Sequence, residues 1–546
     1  MDNYAVILAA GVGSRLLPIT DAMPKSLVRV NGREIIDYQI KGYLSSGIKE
    51  ENITVVTGYM SDKIAEFLVR HYPQVNVVES INYKTTNNMY SLYLALKTLY
   101  EKNSFNFGTL FINNADCLYD EKLMNEFARS SIDNAIATEI GTYIEESMKI
   151  VLDAARGNIV NIAKTIMPED AAGVSVDLYK YSAEAVKQLY DIVCDFIEIK
   201  KDLKQWTEVA FPELFKRVDV FPFDIKHKKW VEVDNNDDLL LADKLFSDFD
   251  AASKKAYVCD LDGTLFVGST PIKPAIDFVK KYKDRFDFYF LTNNTSRTPE
   301  DYVKKLASAG ITAQSEQIAT PLYPLADHIK AKGYKSVYLV ANDKVRNFMA
   351  ANLPNVSFEF DLDKNEAVIL TYDTELTYEK LKNMAVLLNN KNVEYIATHN
   401  DVFCPNEQGP IPDIGSIISL MKTANGFEPN IILGKPSAAL INRYIQQYGA
   451  DKVVVVGDRL YTDKKLADNA GCDFICVLSG ETRRVDVAKD NSRHPALVVS
   501  NLGETKVSEY LTPPLSRKQI YININNCILL DLMSKQYAFF ILNVKK

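Results

Sequence analysis

W-V-E-V-D-N-N-D-D-L-L-L-A-D, residues 230–243, is followed after a short charged connector by A-Y-V-C-D-L-D-G-T-L, residues 256–265. The first segment sets Glu232 and Asp234 at the end of a short apolar strand, just before a leucine-rich helix. The second sets Asp260 and Asp262 at the end of another strand, with Gly263 allowing a sharp exit. Open α/β sheets place their chemistry at the carboxyl ends of strands. Two such ends only about 30 residues apart are too close for one βαβ series, which needs a long crossover between parallel strands. The stretch therefore reads as a seam between two catalytic units, and the chain is assigned outward from it.

The bulk numbers agree with that division. A chain of 546 residues holds two to four domains. Hydrophobic content of 47% and charged content of 25% are those of a globular protein, and the net charge of −8 argues against nucleic acid or an anionic membrane as the main partner. Small phosphorylated molecules remain compatible, because their charge is met locally by Mg²⁺, lysine and backbone N–H groups. Seven scattered cysteines without a CxxC pair and only five histidines make a zinc site improbable. With no leader-like start and no apolar run of spanning length, a cytoplasmic location is expected. The composition is also compatible with a homo-oligomer.

In the first half, Tyr4 to Ala9 is a continuous apolar strand leading into G-V-G-S-R-L-L-P-I-T-D-A-M-P-K-S-L, residues 11–27. Gly11 and Gly13 let backbone N–H groups approach phosphates, and Arg15 and Lys25 add positive charge where a triphosphate would lie. Strand and helix then alternate over 35–44, 53–57, 63–70 and 75–79, with a further strand over 109–113. This half resembles the sugar-phosphate nucleotidyltransferases along its length. Within that group, T-N-N-M-Y-S-L at 86–92, which carries Asn87, Asn88 and Ser91, resembles the LicC-type choline-phosphate cytidylyltransferases; taken alone, the pattern is a polar cap on a packing helix. The resemblance implies CTP as donor, a small phosphorylated alcohol as acceptor, and Mg²⁺ held by Asp116 and Asp234 with Glu232 beside them. UTP or dTTP with a sugar 1-phosphate is the alternative. Lys149 and Lys164 are phosphate contacts if they face the acceptor. Trp206 and Trp230, with Tyr179 and Tyr181 near, would suit an aromatic cage for a quaternary ammonium, although core packing explains such residues equally well.

The second half carries four spaced motifs at strand ends: D-L-D-G-T at Asp260, L-T-N-N at Thr292 and Asn293, L-G-K-P at Lys435, and G-D-R-L-Y-T-D with Asp458 and Asp463. Together they resemble the haloacid dehalogenase (HAD) phosphatases of the NagD type. The resemblance implies Asp260 as nucleophile and Asp262 as general acid and base. It implies Thr292 and Lys435 on the phosphoryl oxygens, and Mg²⁺ at Asp260, the Asp262 carbonyl and Asp458, with Asp463 nearby. The substrate would be a phosphomonoester. The fold expected is α/β throughout: a nucleotidyltransferase unit with a GT-A/Rossmann-like mixed sheet over 1–250, a HAD Rossmann-like core over 254–334 and 419–511, and an inserted α/β cap of the C2 type over 335–418. Within the cap, A-T-H-N-D at 397–401 resembles the substrate-facing loop, while P-I-P-D-I-G-S at 410–416 departs from the P-G-x-G of the relatives. Residues 512–546 fit neither half, and their aliphatic and aromatic content argues against pure disorder. A silent, regulatory half is the rival to two active enzymes; buried carboxylate clusters that never meet a metal would only destabilise a fold.

Overall fold

The computed structural model describes residues 1–390, 392–404 and 409–507; the C-terminal segment from 512 lies outside them. The first half is built on a nine-stranded mixed sheet. At its centre, Tyr4–Ala9 lies parallel between Ile53–Thr57 and Thr109–Asn114, every residue from Ala5 onward being buried. A strand buried on both faces needs an unbroken apolar run, and Y-A-V-I-L-A supplies it. Gly173–Ser182 continues the sheet antiparallel to Thr109–Asn114 and loses register against Ala135–Ile140 between Ser175 and Tyr179. That irregularity holds Asp177 at φ 57°, a backbone region unfavourable to a side chain.

The seam strand Trp230–Glu232 does not join this sheet. It pairs antiparallel with Cys117–Tyr119 in a two-stranded ribbon, so Asp116 and Asp234 emerge side by side although 118 residues apart in sequence. The helix Asn236–Phe246 follows, opened by Asn235 and Asp238 in a reciprocal capping box.

The second half is a six-stranded parallel sheet with Ala256–Asp260 inside it, flanked by Asp287–Leu291 and Val453–Gly457. Asp260, Thr292 and Asp458 all fall at the carboxyl ends of these three strands. A separate four-stranded parallel sheet consists of Val337–Val340, Ala367–Leu370, Glu394–Ala397 and Ile431–Ile432. The last strand corrects the expectation that the inserted unit ends near 418: Ile431–Ile432 hydrogen-bonds to Glu394–Ala397, and the preceding helix Ile414–Asn425 packs onto the same layer. At the other end, helix Leu322–Lys332 buries Leu322, Leu325 and Ile329 against this second sheet, upstream of the expected start at 335.

The two halves share a core at the seam. Leu239 and Ala242 of the seam helix pack with Val28 and Val30 on one side and with Val485 and Ala488 on the other. Beneath them the Arg484 guanidinium pairs with Asp243 at 2.6 Å, both buried, and donates to the Arg29 carbonyl at 3.0 Å. No helix among the described residues is long and apolar enough to cross a membrane.

Candidate active sites

The first site is a cleft of about 360 Å³ at the carboxyl end of the nine-stranded sheet. Gly11 and Gly13 form one wall; Gly13 has φ 67°, and a Cβ there would come within 2.9 Å of the Lys25 Cβ. That close approach seats Lys25 between two carboxylates, with Nζ 2.8 Å from Asp116 Oδ2 and 2.7 Å from Asp234 Oδ1. Arg15, largely exposed, pairs with the other Asp234 oxygen at 2.7 Å. Burial opposes the charge on Lys25, but the two carboxylates outweigh it and raise its pKa. For Asp234 burial works upward, yet Lys25 and Arg15 hold its carboxyl below the ordinary value. Glu232 makes no ion pair among the described residues: burial, then the charges of Asp177, Asp116 and Asp234, outweigh the pull of Lys25 and push its carboxyl up to about 9. Asp116, Glu232 and Asp234 each offer an oxygen within 4.8 Å of the others, a hard-oxygen set that fits one divalent cation.

Of the other residues singled out in the first half, Asn87, Asn88, Ser91, Lys164 and Trp206 line the cleft. Asn87 also caps the helix Asn88–Asn103. Asn88 accepts a hydrogen bond from the Thr207 backbone at 2.9 Å, and the Asn87 backbone donates to the Leu203 carbonyl at 3.0 Å. The two asparagines thus pin the segment that bears Trp206 and Glu208. The aromatic cage is not assembled. Trp230 lies outside the cleft, its indole donating to Glu139 at 2.9 Å, and Tyr181 is buried in the core. Both face away because each belongs to a strand whose apolar side packs inward. Lys149 is likewise buried, its ammonium on the Glu145 carbonyl at 2.7 Å, and does not line the cleft. Among the lining residues that had not been singled out are two acids, Asp177 and Glu208. A lone acid inside the apolar strand V-S-V-D-L-Y was the available signal for the first.

The second site is closed. Lys435 Nζ lies 2.6 Å from Asp260 Oδ1 and 2.7 Å from Asp463 Oδ1, and all three side chains are at most 7% exposed. Burial pushes the Asp260 carboxyl up and Lys435 pulls it back. The two carboxylates in turn raise the Lys435 pKa against the effect of its own burial. Asp458 accepts from the Glu481 backbone at 2.7 Å through Oδ2, while its buried Oδ1 has no partner among the described residues. Asp260, Asp458 and Asp463 present oxygens within 4.8 Å of one another, so the orphaned oxygen and the donor set both fit a divalent cation. Asp262 points to the rim, half-exposed and paired with Lys305 at 2.9 Å. Thr292 is buried and accepts from the Asn294 backbone at 3.1 Å. Asn293 accepts from the Lys435 backbone at 2.8 Å and donates to Asp401 of the inserted unit at 3.2 Å.

Comparison with known proteins follows this division. Residues 4–149 match the nucleotidyl transferase family, 257–352 the haloacid dehalogenase-like hydrolases, and 432–505 the HAD-hydrolase-like family. The 5'-nucleotidase YutF of Bacillus subtilis is 32% identical over 46% of this chain and 96% of its own length. An acid sugar phosphatase of Staphylococcus aureus is 31% identical over 43% of this chain and 91% of its own. A solved 4-nitrophenylphosphatase from Thermotoga maritima is 33% identical, covering 46% of this chain and 96% of that one, with a TM-score of 0.43. Through its second half the chain belongs to the haloacid dehalogenase-like hydrolases, with relatives of the NagD type, and it joins that phosphatase to a nucleotidyltransferase.

Proposed function

We propose that the first half transfers a cytidylyl group from CTP to a small phosphorylated alcohol, and that the second hydrolyses a different phosphomonoester. The observation that carries the first reading is Lys25 held between Asp116 and Asp234 beside the Gly11–Arg15 turn. An ionised oxygen of the acceptor phosphate attacks the α-phosphorus of CTP. The bond from that phosphorus to the bridging oxygen breaks, and pyrophosphate leaves with the electron pair. No proton has to move, so the residues act by position and charge. Arg15 and Lys25 meet the triphosphate, the Gly11 and Gly13 backbone cradles it, and Asn87 and Asn88 hold the acceptor-side wall. Asp116 and Asp234, with Glu232, would hold Mg²⁺, which neutralises phosphate charge when bound.

In the second half, a carboxylate oxygen of Asp260 attacks phosphorus and the bond to the leaving oxygen breaks, that oxygen taking a proton from Asp262. Water, giving its proton back to Asp262, then attacks the aspartyl-phosphate; the P–O bond to Asp260 breaks and inorganic phosphate leaves. Lys435 and Thr292 steady the phosphoryl oxygens, and Asn293 anchors Lys435. Asp260, Asp458 and Asp463, with the Asp262 carbonyl, would hold Mg²⁺, which supplies charge neutralisation between anionic nucleophile and anionic phosphate when bound. The relatives named for nucleotides and acid sugars support a phosphomonoester substrate. The inserted unit, from about 322 to 433, acts as a cap that selects the leaving group. A phosphatase that destroyed the acceptor would waste the transferase's substrate, so the two halves take different phosphates.

The test is pyrophosphate release with each of four nucleoside triphosphates against a panel of phospho-alcohols and hexose 1-phosphates, with the best acceptor then offered to the phosphatase. CTP should lead, and the acceptor should rank low among phosphatase substrates. Preference for UTP with a hexose 1-phosphate would overturn the cytidylyl reading.

A further inference from the structure

The turn that carries Lys25 is anchored from the far side of the seam. Lys25–Leu27 forms a single 3₁₀ turn, and the chain runs from it into a hairpin of Arg29–Val30 with Arg33–Glu34. Inside the transferase half the segment is tied at its base. The Val28 backbone donates to the Lys25 carbonyl at 3.1 Å, and the Ile35 backbone donates to the Val28 carbonyl at 3.1 Å. The hairpin reverses at Asn31 and Gly32, with φ 49° and 78°, the left-handed pair of a tight two-residue turn. Two strands of two residues do not hold such a hairpin in place without a surface to pack on.

That surface is supplied by the seam helix and the phosphatase half together. The Asn31 backbone donates to Asp243 Oδ1 at 3.0 Å, and its side-chain amide donates to the Asp243 carbonyl at 3.0 Å. The other Asp243 oxygen meets Arg484 Nε at 2.6 Å, as an ion pair rather than an aligned hydrogen bond. Arg484 Nη2 donates to the Arg29 carbonyl at 3.0 Å. A Cβ on Gly32 would lie 2.9 Å from the Cβ of His494, so the turn sits hard against that residue. Val28 and Val30 bury their side chains with Val485 and Ala488. Asp243 belongs to the helix that starts two residues past Asp234, and Arg484 is its one ion-pair partner among the described residues. A buried carboxylate stripped of its counter-ion is strongly destabilising, so this contact is not idle.

Arg484 is itself held fast. It opens the helix Arg484–Lys489, two residues past Thr482. The Thr482 backbone donates to the Asp458 carbonyl at 3.1 Å, and the Glu481 backbone donates to Asp458 Oδ2 at 2.7 Å. The segment 481–485 therefore abuts the second site at its start and the Lys25 turn at its end. Its bonds to Asp458 are made by backbone, so a change in the Arg484 side chain leaves them in place.

We propose that Arg484 is a positioning residue for nucleotidyl transfer. By fixing Arg29 and Asp243 it holds the turn that sets the Lys25 ammonium between Asp116 and Asp234. The transferase half thus takes part of its active-site geometry from the phosphatase half, while the chemistry of each site remains its own. Lys25 acts by position and charge, and misplacing such a group by about 1 Å can cost up to about 10²-fold in rate.

The experiment uses the full chain. Pyrophosphate release is measured with the triphosphate and acceptor that the wild-type protein turns over fastest, and 4-nitrophenyl phosphate hydrolysis and urea midpoints are measured on the same samples. Arg484→Met should lower kcat for pyrophosphate release about 10- to 30-fold and leave the hydrolysis within about twofold. Because the effect passes through Lys25, Arg484→Met should add less than about threefold to the loss that Lys25→Met already causes, whereas a residue that merely supports the fold would give its full loss again. Arg484→Lys keeps a charge for Asp243 but lacks the fork that also reaches the Arg29 carbonyl. It should recover most of the lost urea midpoint and still lower kcat at least about threefold. Wild-type kcat in folded Arg484→Met, or in Arg484→Lys should the first fail to fold, overturns the proposal. So does a full additive loss on Lys25→Met, or a parallel fall in both activities. No pyrophosphate release from the wild-type protein with any pair would remove the transfer reading, and this proposal with it.

Discussion

Both active sites lodge a lysine between two carboxylates, yet one is open and the other sealed. Lys25, between Asp116 and Asp234, sits in a cleft where Arg15 remains 62% exposed. Lys435, between Asp260 and Asp463, is closed in, with Asp463 fully buried. The difference suits what each proposed reaction has to admit. A nucleoside triphosphate and an acceptor need room, and their charge is met by mobile side chains at a wet rim. A phosphoryl group alone is small, and attack by a carboxylate gains from a dry pocket whose dipoles are already fixed. One electrostatic device therefore serves a wide cleft for assembling two substrates and a tight pocket for splitting one.

The largest expected effect tests whether the sites work separately. Asp260→Asn should lower phosphatase activity by at least about 10³-fold and leave pyrophosphate release within about twofold, since a lost nucleophile cannot be replaced from across the seam. Asp234→Ala should do the reverse. The two assays on each folded variant decide it; loss of both activities in either would show that the shared core around Arg484 and Asp243 couples the halves.

A second comparison concerns stability. Removing the cation from a sealed pair of carboxylates strands buried charge, so Lys435→Met should cost about 3–5 kcal/mol in metal-free buffer. Lys25→Met, in the more solvated cleft, should cost clearly less, about 1–2 kcal/mol. Urea unfolding of the two variants measures both, and equal costs would break the distinction between open and closed sites.

A third effect is in pH. His399, wholly buried beside Asp401 and Asp413 where the cap meets the core, has its pKa lowered by burial to about 4. Its folded value lies below the unfolded one, so the unfolded chain binds the proton more readily. The stability His399 contributes is complete above about 6.5 and is lost as pH falls toward 4, by up to about 3 kcal/mol. Asp413, raised by burial to about 7, runs in the opposite direction. The difference between wild type and His399→Gln isolates the histidine: the variant should lose less stability between pH 7 and 4.5 in thermal melts. Parallel pH profiles would show that His399 is not held neutral.

The sequence alone determined what depends on short range. Apolar runs ending in Gly and Asp, as at Tyr4–Ala9 and Ala256–Asp260, specify strands and the residues exposed at their tips, because pleat and turn are local. Hence the two α/β units were legible from motifs, as were Lys25 and Lys435 and the carboxylates that flank them, whereas Asp177 and Glu208 were not. What only tertiary structure decided depends on which distant segments meet. The ribbon between Cys117–Tyr119 and Trp230–Glu232 joins Asp116 to Asp234. The irregular pairing at Ser175–Tyr179 turns Asp177 toward Glu208, and strand direction separates Trp230 from Trp206. Ile431–Ile432 enters the cap sheet because its neighbour there is Glu394–Ala397, a pairing that two isoleucines cannot announce. Side-chain direction and strand partners are set by long-range packing, in which one residue of register reverses a face. The motifs therefore indicated the two enzyme classes, and the packing between remote strands set the shape and charge of each site.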